Sequence, residues 1–282
     1  MLSIVIPTRN RSELLLDCVQ SIIANKKANI ELIIVDDGST LTEKKKNQKI
    51  VTFAKKHFST DYIYQKQQFQ GAARNKGIRR AKGTIIAFLD DDCVVLPSWV
   101  HTILQKFGDP HIQVISGSIK PFSDAPVSLV AHLAERHYEN ISGTQIYPSL
   151  VYNLIVRREL LFQKNIFFAE NRQNLAEDIE FNYKLFKAGI SIYYDADISC
   201  KHKYPENFKD FFGDQFHFRR SRTWLKHNLE NYPYVASNEN SIFRKFKYGI
   251  TFPIRCFYLG IQKKVNPLSL MFLGILQESL FL

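Results

Sequence analysis

The sequence predicts an α/β fold: a mostly parallel β-sheet flanked by helices, with a helical appendage at the C-terminal end. Strand-like and helix-like segments alternate through residues 1–120, a pattern that indicates parallel strands joined by crossover helices. Two apolar runs end in acidic turns, Asp36-Asp37-Gly38-Ser39 and Asp90-Asp91-Asp92. Open α/β sheets bind ligands at the carboxyl ends of parallel strands, where these turns would lie. A length of 282 residues and a hydrophobic content of 45% suffice for one large domain with an appendage.

The predicted strands are short apolar runs rich in β-branched and aromatic residues, which is typical of buried strands. The alternation loosens after residue 120, so the later strands are predicted from shorter runs. In chain order the predicted strands are Leu2–Ile6, Ile30–Val35, Asp61–Gln65, Thr84–Leu89, Ile112–Ile119, Leu150–Val156, Ser191–Tyr194 and Ile198–His202.

The predicted helices are indicated by apolar spacing and by residues that start or stop helices. The first carries apolar residues at helical spacing and has Ser12 as its predicted N-cap. Pro97 is predicted to open the fourth helix, and Gly189 to terminate the last. In chain order the predicted helices are Ser12–Ala24, Glu43–His57, Gly71–Lys82, Pro97–Phe107, Ala125–Tyr138 and Glu177–Ala188.

From Phe208 onward the sequence predicts helices, and its last forty residues are apolar. Neither Tyr248–Ile261 nor Leu268–Leu282 offers the ~20 uninterrupted apolar residues that a spanning helix needs. Lysines and arginines flank both segments, which favours helices lying on an anionic membrane surface. A helical cap over the core and a dimer interface are the alternatives, and the sequence does not indicate an oligomeric state.

Composition restricts the partners and the compartment. The chain has 38 Lys and Arg against 27 Asp and Glu, a formal net charge of +11 that favours an anionic partner. Its four cysteines are far apart and form no C-x-x-C, so neither a zinc site nor a disulfide framework is predicted. The first residues resemble a strand and not a signal peptide. We therefore expect a cytoplasmic catalytic part, peripheral on the inner face of the plasma membrane.

Three adjacent carboxylates, Asp90, Asp91 and Asp92, follow the predicted strand Thr84–Leu89. Their mutual repulsion would be relieved by a cation, and Mg²⁺ or Mn²⁺ prefers oxygen ligands of this kind. An acidic turn that merely caps a strand is the simpler interpretation. A second acidic turn at the same sheet edge, Asp36-Asp37, strengthens the functional interpretation because both turns can face one ligand.

Other candidate site residues are each ambiguous on their own. Pro7-Thr8-Arg9 follows the first strand, and Arg74 supplies a cation suited to phosphate or nucleobase contacts. Asp178 opens a helix, where a carboxylate serves as a cap or as a general base. His202 is either a structural histidine or a contact to metal or phosphate.

Taken together, five motifs resemble the family 2 glycosyltransferases, which have the GT-A fold. The resemblance covers about residues 1–205. The matching segments are Ser3-Ile4-Val5-Ile6-Pro7-Thr8-Arg9-Asn10, Val35-Asp36-Asp37-Gly38-Ser39, Gly71-Ala72-Ala73-Arg74-Asn75-Lys76-Gly77, Phe88-Leu89-Asp90-Asp91-Asp92 and Ala176-Glu177-Asp178.

The resemblance implies transfer of a sugar from a nucleotide-sugar donor, with inversion at the anomeric carbon. It places the nucleotide beside Thr8, Asp37 and Arg74, in a pocket that Asp36 helps to shape. Pro7, Arg9 and Asp90 would lie at the same site, and Asp91 would touch the ribose or the metal. Asp92 and His202 would hold Mg²⁺ or Mn²⁺. Asp178 would be the base that deprotonates the acceptor hydroxyl.

Departures from the family pattern bear on the acceptor side. A Gly-Gly-Phe-Asp-Glu-like stretch is replaced by Asn165–Glu170, and the Gln-x-x-Arg-Trp motif of processive members has only a loose echo in Gln215, Arg219-Arg220 and Trp224. The resemblance therefore favours a single-addition enzyme of polysaccharide or cell-envelope synthesis, with a glycan or lipid-linked acceptor. The predicted domains are 1–205, divided into a donor half (1–120) and an acceptor half (121–205), and a helical region, 206–282.

Two other functions are compatible with parts of the pattern. A nucleotidyltransferase also uses acidic strand ends and a metal, but it usually needs a glycine-rich loop where this chain has Thr8-Arg9-Asn10-Arg11. A basic nucleic-acid-binding protein would explain the net charge but has no use for the triple Asp or Asp178. We therefore expect no nucleic-acid partner.

Overall fold

The computed structural model describes residues 1–25, 29–136, 140–142, 145–147, 150–170, 176–214 and 242–279. The chain forms two compact units. The N-terminal unit comprises Met1–Ile119 and Asn140–His202, and the C-terminal unit comprises Lys120–Glu139 and Lys203–Leu282. Residues 120–139, which the sequence analysis assigned to the catalytic domain, thus belong to the same compact unit as the C-terminal region. The predicted functional boundary at residue 205 stays a prediction.

The sheet has ten strands within the described residues. They are β1 (Leu2–Thr8), β2 (Ile30–Asp36), β3 (Ser59–Tyr64), β4 (Ile85–Leu89), β5 (Cys93–Val95), β6 (Val114–Pro121), β7 (Asn140–Ser142), β8 (Gln145–Tyr147), β9 (Asn153–Arg157) and β10 (Tyr193–His202). The order is β3-β2-β1-β4-β9-β6-β10-β8-β7, with β5 paired to β10.

The predicted α/β architecture is confirmed, with a parallel half and an antiparallel continuation. Strands β3, β2, β1 and β4 are mutually parallel. Strand β9 runs antiparallel to both β4 and β6, and β10 pairs antiparallel with β5 and β8. The two pieces predicted around residues 191–202 form the single strand β10, and β5, β7 and β8 were not predicted.

Helices flank the sheet and also make up much of the C-terminal unit. They are α1 (Ser12–Ala24), α2 (Leu41–Ala54), α3 (Phe69–Arg80), α4 (Trp99–Lys106), α5 (Pro126–Arg136), α6 (Arg158–Gln163), α7 (Glu177–Lys187), α8 (Ile242–Lys263) and α9 (Pro267–Ser279). The short helix α6 was not predicted. The predicted Gln215, Arg219-Arg220 and Trp224 lie outside the described residues.

Alternation along the strands divides the core of the N-terminal unit into two layers. On β1, Leu2, Ile4 and Ile6 face a layer that α1, α2 and α4 complete. Val5 faces the opposite layer, which contains residues of α3, α6 and α7. The polar ends of the parallel strands therefore extend from a sheet that is covered by buried apolar side chains on both faces.

The predicted bounds of the first helix, Ser12–Ala24, are confirmed, but its predicted N-cap and the predicted start of the fourth helix are wrong. Ser12 is not the N-cap of α1: the cap position is Arg11, and the Ser12 amide donates to Glu43 Oε2 of α2 at 3.0 Å. A carboxylate from another helix thus replaces the local cap that the sequence suggested. Pro97 does not open α4, which begins at Trp99 after Ser98 in a left-handed conformation.

The C-terminal unit has its own core. Residues of α5, α8 and α9 bury Val130, Phe252, Cys256 and Leu270 together with Phe211. Among the described residues, no helix combines the length and the apolar character that crossing a membrane would require.

Candidate active site

The carboxyl ends of three neighbouring strands form the base of the site. In the register of the sheet, Thr8 at the end of β1 lies opposite Asp36 at the end of β2. Val5 lies opposite Phe88, so β4 ends beside β1 and delivers the turn Asp90-Asp91-Asp92 to the same edge. The predicted convergence of the two acidic turns is therefore present.

A cavity of about 380 Å³ opens at this edge. Six of the predicted site residues lie on its walls: Pro7, Thr8, Arg9, Asp37, Asp90 and Asp91. Asn10, which belongs to the same predicted motif as Thr8 and Arg9, also lines the cavity, and the lining is completed by Arg11, Gln67, Phe69 and Gln70. Five predicted residues are not on the walls, namely Asp36, Arg74, Asp92, Asp178 and His202.

Asp36 is completely buried and organises the first acidic turn. Its carboxylate accepts hydrogen bonds from the Ser39 amide at 2.8 Å, Asn47 Nδ2 at 2.9 Å and the Tyr62 hydroxyl. Burial and the bond to Asp36 raise the pKa of Tyr62, so its hydroxyl stays a donor. Gly38 follows with φ of 85°, as the turn requires.

Asp37 accepts three hydrogen bonds from the β3–α3 connection. Gln65 Nε2 and the Gln68 amide each donate to Oδ1 at 2.7 Å, and the Phe69 amide donates to Oδ2 at 2.8 Å. A carboxylate offers about four acceptor positions, so Oδ2 can accept one more hydrogen bond. Phe69 itself has φ of 70°, a left-handed conformation of the kind found at ligand sites.

The second acidic turn is neutralised mainly by cations. Asp90 pairs with Arg74, whose Nη2 lies 2.8 Å from Oδ1. Arg11 Nη1 lies 3.4 Å from Asp91 Oδ1 and 3.0 Å from Asp92 Oδ2. The Thr8 hydroxyl donates to Asp91 Oδ2 at 2.7 Å.

Crowding drives the pKa values of Asp91 and Asp92 in opposite directions. Burial and the neighbouring Asp92 raise the pKa of Asp91 to about 7, against the opposing effect of Arg11. Burial would also raise the pKa of Asp92, but His202 and Arg11 outweigh it and hold that pKa well below its usual range. The turn therefore retains negative charge most firmly at Asp92.

Asp92, Cys93 and His202 offer ligand atoms that all lie within 4.8 Å of one another. Antiparallel pairing of β5 with β10 sets His202 opposite Cys93, which brings its Nε2 to 3.3 Å from Asp92 Oδ1. The His202 ring stacks on Tyr152 with centroids 4.5 Å apart. Burial raises the pKa of Cys93, so its thiol remains protonated and unsuited to a hard cation. Carboxylate oxygen and imidazole nitrogen fit Mn²⁺, and the oxygen fits Mg²⁺.

Arg74 does not line the cavity and is buried between two carboxylates. Its Nη1 lies 3.1 Å from Glu177 Oε1, while Nη2 contacts Asp90. It therefore joins the acidic turn after β4 to the first residue of α7. Its predicted contact with a nucleotide stays a prediction, but the structure gives it other partners.

Asp178 is half-buried in the first turn of α7, next to the residue that Arg74 holds. Its Oδ1 accepts a hydrogen bond from the Ile179 amide at 2.8 Å. Ala176, immediately before the helix, has φ of 55° and thus sets the helix start in a left-handed turn. Its role as a base is not tested by this geometry and stays a prediction.

The segment Asn165–Glu170, which departs from the family pattern, packs on α3. Asn75 anchors it, because its Nδ2 donates to the Phe168 carbonyl at 2.9 Å and its Oδ1 accepts from the Phe168 amide at 2.9 Å. The segment lies so close to α3 that only glycine fits at position 71, since an added Cβ would lie 2.1 Å from the Ala169 carbonyl oxygen.

Arg11, Asn75 and Glu177 contribute to the site, although the sequence analysis assigned none of them a role. Arg11 carried a detectable signal, since a cation at a helix N-terminus opposes the macrodipole and suggests an acidic partner. Asn75 and Glu177 lay inside recognised motifs, but their partners are 93 and 103 residues away in sequence. No local pattern indicates such pairings.

Residues 3–182 match the model of the family described as "Glycosyl transferase family 2". The chain belongs to glycosyl transferase family 2. The family identity predicted from the motifs is thereby confirmed, and with it the enzyme class, a glycosyltransferase.

Relatives in the family include the uncharacterized glycosyltransferase EpsJ of Bacillus subtilis, 26% identical over 197 residues that cover 66% of this chain and 56% of EpsJ. The glycosyltransferase AglE of Haloferax volcanii is 28% identical over 188 residues, covering 63% of this chain and 54% of AglE. The chain thus spans about half the length of these two relatives.

Solved glycosyltransferases share the fold. A structure of S. aureus TarS 1–349 in complex with UDP-GlcNAc has a TM-score of 0.59 at 14% identity, covering 95% of this chain and 89% of that one. The mannosyltransferase PcManGT of Pyrobaculum calidifontis, in complex with GDP-Man and Mn²⁺, has a TM-score of 0.60 at 14% identity. The match covers 99% of this chain and 74% of PcManGT. The predicted GT-A fold is confirmed by these similarities.

Proposed function

We propose that the protein is an inverting glycosyltransferase that moves a sugar from a nucleoside diphosphate donor to a hydroxyl of a glycan or lipid-linked acceptor. One observation carries the proposal. The cavity of about 380 Å³ has Asp37 on one wall and Asp90 and Asp91 on another, so a single ligand can contact both acidic turns. A base and ribose suit the first turn, and a cation-bound diphosphate suits the second.

The chemistry of the walls supports a nucleotide. Asp37 has one acceptor position left for an N–H or hydroxyl donor, and the aromatic residue Phe69 lines the same cavity. Arg9 and Arg11 add two cations to the same cavity, as a diphosphate requires. UDP-GlcNAc and GDP-Man are bound by the two structural neighbours, which supports the donor class and leaves the sugar and base open.

Asp92 and His202 would hold a divalent cation, Mg²⁺ or Mn²⁺, which when bound neutralises charge on the departing diphosphate. Asp178 would take the proton of the acceptor hydroxyl as this attacks the anomeric carbon. The ion-paired chain Asp90–Arg74–Glu177 would fix the start of α7, and hence Asp178, relative to the donor. Arg74 would then be a positioning residue.

The first experiment identifies the donor and then tests the base. Thermal shifts with a panel of nucleoside diphosphates and nucleotide sugars, each with and without Mn²⁺, should single out one base. Single-turnover transfer by Asp178→Asn should then fall by ~10²–10⁴, the usual contribution of a general base, with donor binding unchanged.

Glu180→Gln is the matched control, because it removes a carboxylate two residues further along α7 and should leave transfer near wild type. Glu177→Gln, which sequence reasoning would choose, is unsuitable because Glu177 holds Arg74. A wild-type rate of transfer by Asp178→Asn would show that Asp178 is a structural residue at the start of α7 and not the base. A panel without any nucleotide response would contradict the proposed function itself.

We also propose that the C-terminal unit lies on an anionic membrane surface, where a lipid-linked acceptor would be found. Six large apolar side chains are 45–62% exposed on α8 and α9, and we call them the outer stripe. They follow the same helical spacing on both helices: Ile254, Tyr258 and Ile261 on α8, and Leu268, Phe272 and Ile275 on α9. Residues 241–277 contain six Lys or Arg and no Asp or Glu, a charge complementary to an anionic leaflet.

Vesicle pelleting tests the outer stripe. Tyr258→Asn combined with Phe272→Asn should release the protein from vesicles of anionic phosphatidylglycerol. Leu41→Asn combined with Phe162→Asn is the matched control, since these two apolar side chains are exposed in the N-terminal unit. Equal pelleting of both variants would contradict the proposal, and loss of a dimer in the first variant would assign the stripe to self-association.

A further inference from the structure

We propose that Arg11 is an exchangeable counter-cation that makes divalent metal and the donor diphosphate bind together and disfavours the metal alone. The inference rests on the proposed donor class and assigns a role to a residue outside the motif residues. It starts from the position of one guanidinium group, which lies between the metal-ligand candidate Asp92 and the cavity.

Arg11 contacts the acidic turn without being fixed to it. Its Nη1 reaches Asp91 Oδ1 at 3.4 Å and Asp92 Oδ2 at 3.0 Å, yet its side chain is 50% exposed. Arg74 differs in every respect: its side chain is 3% exposed and locked between two carboxylates. Arg11 can therefore leave the acidic turn for solvent or a ligand. Arg74 cannot leave without stranding buried carboxylates that have lost their cation.

The position of Arg11 conflicts with a bound divalent cation. A cation between Asp92 and His202 would lie within a few ångströms of a guanidinium that uses the same carboxylate, and like charges at that distance repel. For the metal to bind, Arg11 must give up Asp92. In the absence of a diphosphate, the loss of the ion pair between Arg11 and Asp92 opposes metal binding.

A diphosphate changes the balance because Arg11 also lines the cavity. The Arg11 side chain is half exposed, so its guanidinium is accessible to a ligand in that cavity. A phosphate there would accept charge-assisted hydrogen bonds from Arg11 as this releases the carboxylates. Metal and diphosphate would each favour the binding of the other.

The test measures Mn²⁺ alone, by electron paramagnetic resonance of the free ion, and then a nucleoside diphosphate in the presence of Mn²⁺. Arg11→Gln should bind Mn²⁺ alone about 3- to 10-fold more tightly than wild type, because a competing and repelling charge is gone. The same variant should bind the diphosphate with Mn²⁺ about 10-fold more weakly, because a charge-assisted hydrogen bond is lost.

Two further variants make the result specific. Arg9→Gln removes the same charge from the same cavity wall, and Arg9 forms no ion pair within the described part of the chain, so its affinity for Mn²⁺ alone should match wild type. Arg11→Lys keeps the charge and should retain most of the opposition to Mn²⁺.

Unchanged or weaker binding of Mn²⁺ alone by Arg11→Gln would overturn the inference, as would an equal effect of Arg9→Gln. The Mn²⁺ measurement uses no nucleotide. A failure of the proposed donor class would therefore appear only in the second titration and would be distinguishable from a failure of the role of Arg11.

Discussion

The two acidic turns of the site look alike in sequence and are stabilised in opposite ways. Asp36 and Asp37 accept six hydrogen bonds, all from uncharged donors of the protein itself. Asp90, Asp91 and Asp92 depend instead mainly on Arg74, Arg11 and His202, with neutral hydrogen bonds from the Thr8 hydroxyl and the Cys93 thiol. The first turn is complete without any ion, whereas the second is a balance of charges.

We therefore expect the first acidic turn to be insensitive to cations and the second to respond to them. A turn held by neutral donors keeps its shape at any ionic composition and suits recognition of a base and ribose. A turn held by charges changes its balance whenever a cation, a diphosphate or a proton arrives. Three predictions test this contrast, in order of decreasing effect on stability.

Arg74→Met should have the largest effect. It leaves Asp90 and Glu177 without their buried cation, and breaking such a pair costs about 3 to 5 kcal/mol of unfolding free energy. Urea denaturation measures the loss. Arg79→Met on the same helix is the matched control, because its side chain is 57% exposed in its pair with Glu170 and should contribute less than about 1 kcal/mol. Equal losses for the two variants would contradict the proposed positioning role of Arg74.

Asp36→Ala should destabilise the protein by about 3 kcal/mol, because two buried donors and the partly buried Tyr62 hydroxyl lose their common acceptor. The loss should be the same with and without Mn²⁺, since this turn involves no ion. Asp61→Ala provides the comparison: its pair with Arg80 is exposed to solvent, so its loss should matter far less. A loss for Asp36→Ala that Mn²⁺ changes would remove the distinction between the turns.

Asp91→Asn should instead stabilise the metal-free protein at neutral and higher pH. Because the folded state raises the pKa of Asp91 to about 7, its ionisation opposes folding. The wild type should lose stability as pH rises from about 4, where the unfolded carboxyl ionises, to about 7. Melting temperatures of both proteins between pH 4 and 8 should diverge over that window and stay apart above it. Parallel curves would show that Asp91 ionises freely in the folded protein.

The sequence predicts the local elements around the candidate site but not the contacts that distinguish the two acidic turns. The strand ends, the acidic turns and the family followed from local runs such as Phe88-Leu89-Asp90-Asp91-Asp92, because apolar strands and turn residues are local signals. Partners did not follow: nothing near Arg74 in sequence indicates Glu177, and nothing near Ser12 indicates that Glu43 caps its helix. These pairings are set by the packing of helices onto the sheet.

The short strand β5 is a further example. It escaped prediction because three residues, Cys93–Val95, carry too little periodicity to be recognised. Its pairing with β10 nevertheless brings His202 to Asp92, and thus creates the candidate metal site. The sequence left His202 open between a structural role and a contact to metal or phosphate, and the family resemblance favoured the contact. Its geometry required the fold.

The central claim is that the second acidic turn binds the donor through a cation and the first does not. Calorimetric titration of the preferred nucleoside diphosphate into wild type and Asp92→Asn, each with and without Mn²⁺, tests it most directly. Mn²⁺ should strengthen binding to wild type, and Asp92→Asn should lose that gain while keeping the Mn²⁺-independent affinity. The same Mn²⁺ gain in Asp92→Asn as in wild type would contradict the claim.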